Sequence, residues 1–512
     1  MAIALWRAVV DRCSQRQARG LSTHLDLRFS VTALVAALVI AALGSLAPAP
    51  RWGPRTWRSR FRIPQRVLLP VILVAASVSR LTLVLAGGQF YWPDEGRYEQ
   101  SRIMVEDLTA GVPLRAWEFE HPLFNVIGML PAAIESAYVR DARIPAVFFA
   151  MFSVLNIWLL SGISRRLGAG HVESMLVAAL FAASTSFLYF VRHLFPYDLS
   201  MTFGLLALRA AITSTAPRAS LVCGAWAGLC FLTYFGYWTF GGAACVIHVF
   251  QNLDGKTLVR RGVVTAAGLA IPLLFIAGSP MASGGDVIAG TVTFMDNVNQ
   301  GTFAEGWRVP FAYLWHAEHG LLVLWIAATV VSVVAWRRYL QVPAARAGLV
   351  GLAFTYTALA VLSTEFEMFV VYGRLARQLV PFFCLVTAAV LVRVRAHTIY
   401  RREMATALAV LLVIQAVVNT KPLFAQVFPP QFIERGEQVA AERGASRVVY
   451  LYAEHLYPPR IVEPPDGFVE AFKAAHPLQY VPYQYEGFTP QERYFLRSTD
   501  IRMRMLIPVV GH

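Results

Sequence analysis

Long apolar runs, separated by short stretches rich in charge, proline and glycine, organise most of this chain. Segments apolar enough to cross a bilayer fall at 67–87, 142–163, 172–190, 196–213, 219–236, 237–250, 261–279, 318–336, 346–363, 378–394 and 404–420. A helix rises 1.5 Å per residue, so about 20 apolar residues cover a hydrocarbon core of roughly 30 Å. The segment 237–250 is short for that task. The pattern predicts an all-α polytopic membrane protein with about eleven to twelve transmembrane helices. Two regions break it. In 88–141 the spacing of charged and apolar positions predicts an amphipathic helix over 94–108, lying at the membrane interface. A second apolar helix opens at His121-Pro122, where proline suits the first turn. In 421–512 a helical piece at 431–443 precedes a Val- and Tyr-rich run at 447–453 that suits a strand, and prolines follow. This end reads as a small α/β domain. The chain thus divides into a basic N-terminal region (1–66), a transmembrane domain (67–420) and a C-terminal domain (421–512).

Composition agrees with the pattern: 57% of the 512 residues are hydrophobic and 15% charged, against about 25% charged in soluble domains. The net charge of +14 does not point to nucleic acid, because the basic residues sit in short clusters between apolar spans. Arg165 and Arg166, Arg209 and Arg218, Lys256, Arg260 and Arg261, Arg337, Arg338 and Arg346, and Arg393, Arg395, Arg401 and Arg402 all fall in alternate loops. By the positive-inside rule that side is cytoplasmic. Loops 88–141, 280–317 and 363–377 and the segment 421–512 then lie outside. Residues 29–47 form a further apolar segment with arginines on both sides. Either it is not a span, or the six arginines from Arg51 to Arg66 win the orientation contest over those before it. Cys13, Cys223, Cys230, Cys245 and Cys384 lie in or beside spans or near the N-terminus, so no disulfide framework is implied.

The candidate chemistry gathers on the outer side. Tyr91-Trp92-Pro93-Asp94-Glu95-Gly96-Arg97-Tyr98 puts two adjacent carboxylates just beyond the first span. Charge at a membrane face is costly, which makes the pair a functional candidate. Asp94 also suits the start of the following helix, where it would accept free backbone N–H groups. Arg192 and His193 close one span, and Pro196-Tyr197-Asp198 open the next. Tyr372-Gly373-Arg374-Leu375-Ala376-Arg377-Gln378 leads into another. Two arginines at headgroup depth can hold a phosphate or reach out to ordinary lipid headgroups. His316, Glu318 and His319, and Glu454 with His455, have ligating side chains, but their spacing is not that of a metal site and a satisfied polar cluster is the simpler reading.

Taken in order, these motifs resemble the GT-C glycosyltransferases of the protein O-mannosyltransferase and lipid A aminoarabinose-transferase type. The resemblance rests on Asp94-Glu95 in the first external loop, the helix at His121-Pro122, and Arg143-Ile144-Pro145 opening a span that ends in Gly162-Ile163-Ser164-Arg165-Arg166-Leu167-Gly168. It extends to the Arg192…Asp198 junction and the late Arg374-x-x-Arg377-x-x-x-Pro381 motif. It covers about residues 67–395. Two positions depart from it. His121-Pro122-Leu123 stands where the family often has Lys-Pro-Pro, and Leu232-Thr233-Tyr234-Phe235-Gly236 where many relatives have Leu-Thr-Lys-Gly.

The resemblance implies an integral-membrane enzyme that moves a sugar from a polyprenyl-monophosphate donor to a hydroxyl acceptor outside the cytoplasm, with inversion. Asp94 would be the general base and Glu95 would orient acceptor or base. Arg374, Arg377, Arg192 and His121 would contact the donor phosphate, and Arg97, Tyr98, Asp198, Tyr372 and Tyr234 would line the substrate site. The chemistry is coherent on its own terms. A departing phosphate needs cations as charge develops, and an acceptor hydroxyl needs a base within hydrogen-bond reach. A monophosphate leaving group does not demand a divalent metal, so no obligatory metal is expected. The partners are membrane lipids, the polyprenyl-phosphate sugar, and an acceptor glycan, lipid or protein. A bacterial plasma membrane is the expected location. The rivals are a flippase for lipid-linked glycans, which would carry its polar residues near the midplane, and a non-catalytic relative.

Overall fold

The computed structural model describes residues 65–85, 96–112, 121–138, 143–191, 193–250, 255–277, 307–364 and 373–398, short pieces between 403 and 415, and strands at 449–450, 478–483 and 503–508. The helices are α1 (Gln65–Leu85), α2 (Gly96–Thr109), α3 (Pro122–Ala137), α4 (Arg143–Arg166), α5 (His171–Ala182), α6 (Thr185–Phe190), α7 (Tyr197–Thr213), α8 (Pro217–Thr233), α9 (Trp238–Val249), α10 (Gly255–Ala277), α11 (Val309–Glu318), α12 (Gly320–Val334), α13 (Trp336–Tyr339), α14 (Pro343–Thr364) and α15 (Val380–His397). Two 3-10 segments, Phe235–Tyr237 and Gly373–Leu379, precede α9 and α15.

Among the described residues, five helices are long and apolar enough to cross a membrane: α1, α4, α10, α14, and the segment from Leu375 through α15. With the composition, they make this a multi-pass membrane protein. The predicted spans 172–190, 196–213, 219–236, 237–250 and 318–336 appear as shorter helices, 404–420 lies largely outside the described residues, and two of the expected spans are broken for visible reasons. The predicted run 172–190 divides into α5 and α6 at Ala183–Ser184. There the Glu318 carboxylate takes four hydrogen bonds, from Ser184 Oγ (2.6 Å), Thr185 N (2.9 Å), Ser186 N (3.0 Å) and Ser186 Oγ (2.5 Å). The first N–H groups of α6 thereby gain an anion, the arrangement a helix N-terminus favours. The predicted start at 318 is itself a helix end. Glu318 closes α11, His319 adopts φ 43° in the left-handed region, and α12 begins at Gly320.

The tightest helix pairing is made by glycine. Gly224 and Gly228, one turn apart on α8, face α10, where a side chain at Gly224 would collide with the Thr265 carbonyl and the Leu269 amide. Gly268 of α10 returns the contact against the Leu221 backbone. Small residues at this spacing let helix backbones meet directly, the packing used where lipid removes the hydrophobic drive for association. Elsewhere the core is aromatic and aliphatic, with Trp325 of α12 stacked on Phe383 of α15 at 5.5 Å.

The basic clusters sit together at one end of the bundle. Arg393 of α15 reaches Glu173 of α5 at 3.3 Å, and Arg261 of α10 donates to the His248 carbonyl at the close of α9. The opposite end gathers the starts of α3, α7 and α15 and the end of α8. In the C-terminal segment the described residues form a three-stranded antiparallel sheet, β1 (Val449–Tyr450), β2 (Leu478–Tyr483) and β3 (Met503–Pro508), in the order β1-β3-β2. Val449 pairs with Leu506 and Leu478 with Pro508. The helix expected at 431–443 and the apolar segment 29–47 lie outside the described residues.

Candidate active site

At the end away from the basic clusters, Arg377 is fully buried and donates from Nη2 to Asp198 Oδ1 at 2.5 Å. Asp198 lies in the first turn of α7 but does not cap it. The N-cap residue is Pro196, with no side-chain bond, and the Asp198 carboxylate turns across to α15's approach instead. The Arg377 guanidinium sits among aromatic faces, 4.1 Å from the Phe187 ring centre, 5.3 Å from Phe190 and 5.6 Å from Tyr197. Its Nε and Nη1 have no hydrogen-bond partner among the described residues. A guanidinium stays protonated, so this is a buried cation with unused donors.

Gln378 fixes that geometry. Its Oε1 accepts from Thr239 Oγ1 (2.7 Å) and Phe240 N (3.1 Å), while its Nε2 donates to Gly236 O (2.9 Å). One amide, bonded at both its oxygen and its nitrogen, thus ties the 3-10 segment carrying Arg377 to the start of α9. The sequence reading passed over Gln378, although an amide between Arg377 and an apolar span is the kind of buried polar group that needs partners.

His121 and Tyr234 belong to the same region. His121 is the buried N-cap residue of α3, and its ring meets Tyr234 and Phe235, each at 5.2 Å between centres. Tyr234 meets Tyr197 at 5.0 Å, and Tyr197 stacks parallel on Tyr237 at 6.1 Å. Four residues singled out in the sequence (His121, Tyr234, Asp198 and Arg377) are therefore brought together, with Tyr197 linking Tyr234 to Arg377. Tyr313 of α11 is buried near this cluster. Burial pushes its phenol well above the usual range, so it stays a neutral donor.

Tyr98 is placed differently. Its hydroxyl donates to Glu135 Oε2 at 2.8 Å, and Arg102 donates to both oxygens of the same carboxylate, at 3.1 and 2.7 Å. This buried triad joins α2 to α3. The inward stripe of α2 is accordingly Tyr98, Ser101, Arg102 and Val105, a mixed face that pairs with a neighbouring helix. Arg97 is the second residue of α2, which begins one residue after Glu95, and Arg374 is the second residue of the segment before α15. Asp94, Glu95, Arg192 and Tyr372 lie outside the described residues. Among the described residues, no group of three or more His, Cys, Asp or Glu side chains is arranged to hold a metal ion.

One charged residue near the site went unnoticed in the sequence. Arg80 of α1 is 1% exposed; its Nε donates to Ser153 Oγ of α4 at 2.8 Å and its Nη1 to the Ala76 carbonyl. One turn on from Ser153, Asn156 donates to the Asp198 carbonyl (2.8 Å) and accepts from Thr202 (2.7 Å). The signal was available, since an arginine inside an apolar span is a functional candidate by default.

No family model matches the chain, and no curated protein matches it in sequence. Among solved structures it is similar to the S. cerevisiae protein O-mannosyltransferase Pmt1-Pmt2 complex bound to the sugar donor, at 15% identity and a TM-score of 0.32, over 45% of this chain and 37% of that one. It is also similar to the archaeal oligosaccharyltransferase AglB from Archaeoglobus fulgidus in complex with an inhibitory peptide and a dolichol-phosphate, at 14% identity and a TM-score of 0.44, over 86% and 64%. An Archaeoglobus fulgidus oligosaccharyltransferase tethered with an acceptor peptide gives 12% identity and a TM-score of 0.45, over 85% and 63%. The chain spans between 37% and 64% of the length of these structures.

Proposed function

We propose that this protein is a GT-C glycosyltransferase that moves a sugar from a polyprenyl-monophosphate donor to a hydroxyl acceptor at the extracytoplasmic face of the membrane. The observation that carries the reading is Arg377. It is a buried guanidinium with two unpartnered nitrogens, held beside Asp198 at the end of the bundle away from the basic clusters. A cation fixed in a water-poor site stabilises the charge that grows on a departing phosphate. Arg374, Arg192 and His121 are further phosphate contacts in this reading, and Tyr372 and Tyr234 line the sugar site with Arg97 and Asp198. Asp94 takes the acceptor proton while the hydroxyl oxygen attacks the anomeric carbon from the face opposite the phosphate. That bond forms as the bond to the phosphate oxygen breaks, which inverts the centre. Glu95 orients the acceptor. No metal enters this scheme, because the leaving group is a monophosphate paired with arginine.

The test uses purified protein in lipid, a panel of radiolabelled polyprenyl-phosphate sugars, and membrane extract as acceptor. The expected result is transfer from one donor by wild type and loss of transfer by Asp94→Asn. Equal transfer by the variant would remove Asp94 from the base role. Movement of lipid-linked glycan across the bilayer without transfer would replace the enzyme reading with a flippase.

A further inference from the structure

We propose that Arg80 is the second cation of the donor-phosphate site, so that Arg80 and Arg377, together with Asp198, form a two-guanidinium pocket for the monophosphate of a lipid. The inference rests on the donor reading given above and assigns to that site a residue no motif marked.

The argument begins with charge. Arg80 and Arg377 are 1% and 0% exposed. Arg377 pairs with Asp198, and Arg80 bonds Ser153, one turn before the Asn156 that donates to the Asp198 carbonyl. Two guanidiniums against one carboxylate leave a net positive charge out of water, which the protein interior tolerates poorly without an anion. Among the described residues the other buried carboxylates are committed elsewhere, Glu173 to Arg393. Glu318 is held by Ser184, Thr185 and Ser186, and Glu135 by Arg102 and Tyr98. Arg80 makes its own bonds only to a hydroxyl and a backbone carbonyl, both neutral. The Ser153–Asn156 turn of α4 then connects its position to the Asp198 backbone.

Placement favours a lipid phosphate over a free one. Arg80 lies on the buried stripe of α1 with Ala76, Leu83 and Val84, while Val71, Val74 and Val78 form an exposed apolar stripe on the same helix. The cation therefore sits behind a helix whose opposite face suits lipid chains. It lies in the half of α1 that leads along the chain towards Asp94 and Glu95.

The test is a binding titration on the full-length protein in nanodiscs, with a short isoprenyl monophosphate and its parent alcohol as probes. Wild type is expected to prefer the monophosphate. Arg80→Gln is expected to lose roughly tenfold or more in affinity for it with no change for the alcohol, and Arg80→Lys to recover part of the loss. Asp198→Asn raises the net charge of the pocket by one and is expected to bind the monophosphate more tightly, an outcome a purely structural ion pair would not produce. If Arg80→Gln does not fold, the Arg80→Lys and Asp198→Asn series decides alone. Wild-type preference for the monophosphate that persists undiminished in Arg80→Gln, or that is unaltered across that series, overturns the assignment of Arg80 and leaves the donor reading standing. No preference in wild type overturns both. Inorganic phosphate competing as well as the lipid would assign the pocket to free phosphate and overturn its role as a lipid site.

Discussion

The rings of His121 and Tyr234 pack against each other at 5.2 Å, which makes one change out of two. These are the positions where the resemblance leads one to expect lysines, and they touch. Two ammonium groups at this separation in a buried site would repel, whereas two aromatic rings attract edge to face. Restoring one lysine alone should therefore fail. Tyr234→Lys puts a charge among His121, Phe235, Tyr197 and Tyr237, and is expected to cost about 3 kcal/mol or more. Tyr234→Phe should stay within about 1 kcal/mol. Unfolding in mixed micelles compares the two, and equal stability of both variants would mean that the pocket is wet enough to hydrate a cation.

Asp198 and Arg377 make a different case, because each is left stranded without the other. Asp198→Ala leaves a buried guanidinium with no carboxylate, and a loss of about 3–5 kcal/mol is expected. The double variant Asp198→Ala/Arg377→Met should recover much of that loss, since the stranded charge is gone. A double-mutant cycle reads the coupling directly. Additive losses would show that the two side chains do not depend on each other.

Tyr98 separates a packing role from a substrate role. Its hydroxyl donates to Glu135, so Tyr98→Phe should lose about 1 kcal/mol and leave the KM for donor unchanged. A raised KM at unchanged stability would instead place the hydroxyl on the substrate.

The helical plan was legible because its signal is coarse. Apolar runs of span length and arginines in alternate loops survive any detail of packing, and they located both the bundle and the end that carries Asp198 and Arg377. The breaks were not legible. Nothing local to 172–190 or 318–336 announces that Glu318 will reach into Ser184–Ser186 and start a new helix there, since the two partners lie more than a hundred residues apart. Arg80 and Gln378 were missed for another reason. Each is one polar residue in or beside an apolar run, and their significance comes from Ser153, Thr239 and Gly236, which only the fold brings near. The Tyr98–Glu135–Arg102 triad was hidden likewise, because Glu135 lies on the next helix and only the fold brings it to Tyr98 and Arg102.

Gly224-Ala225-Trp226-Ala227-Gly228 is a signal the sequence did carry, and it supports the sharpest structural prediction. The two glycines lie on one face of α8, and any side chain at Gly224 meets backbone of α10 at Thr265 and Leu269. Backbone cannot rotate away as a side chain can, so Gly224→Leu must push the helices apart. The loss should exceed the roughly 1–3 kcal/mol of ordinary overpacking, because separation also removes the contacts of Gly228 with Leu269 and Pro272. Gly262 on α10 is the internal control, for a side chain there meets nothing within 4 Å. Gly262→Ala should be neutral or slightly stabilising, since alanine is the better helix former by up to about 1 kcal/mol. Thermal unfolding of the two variants in the same detergent checks the contrast. If both behave alike, α8 and α10 do not meet through their backbones.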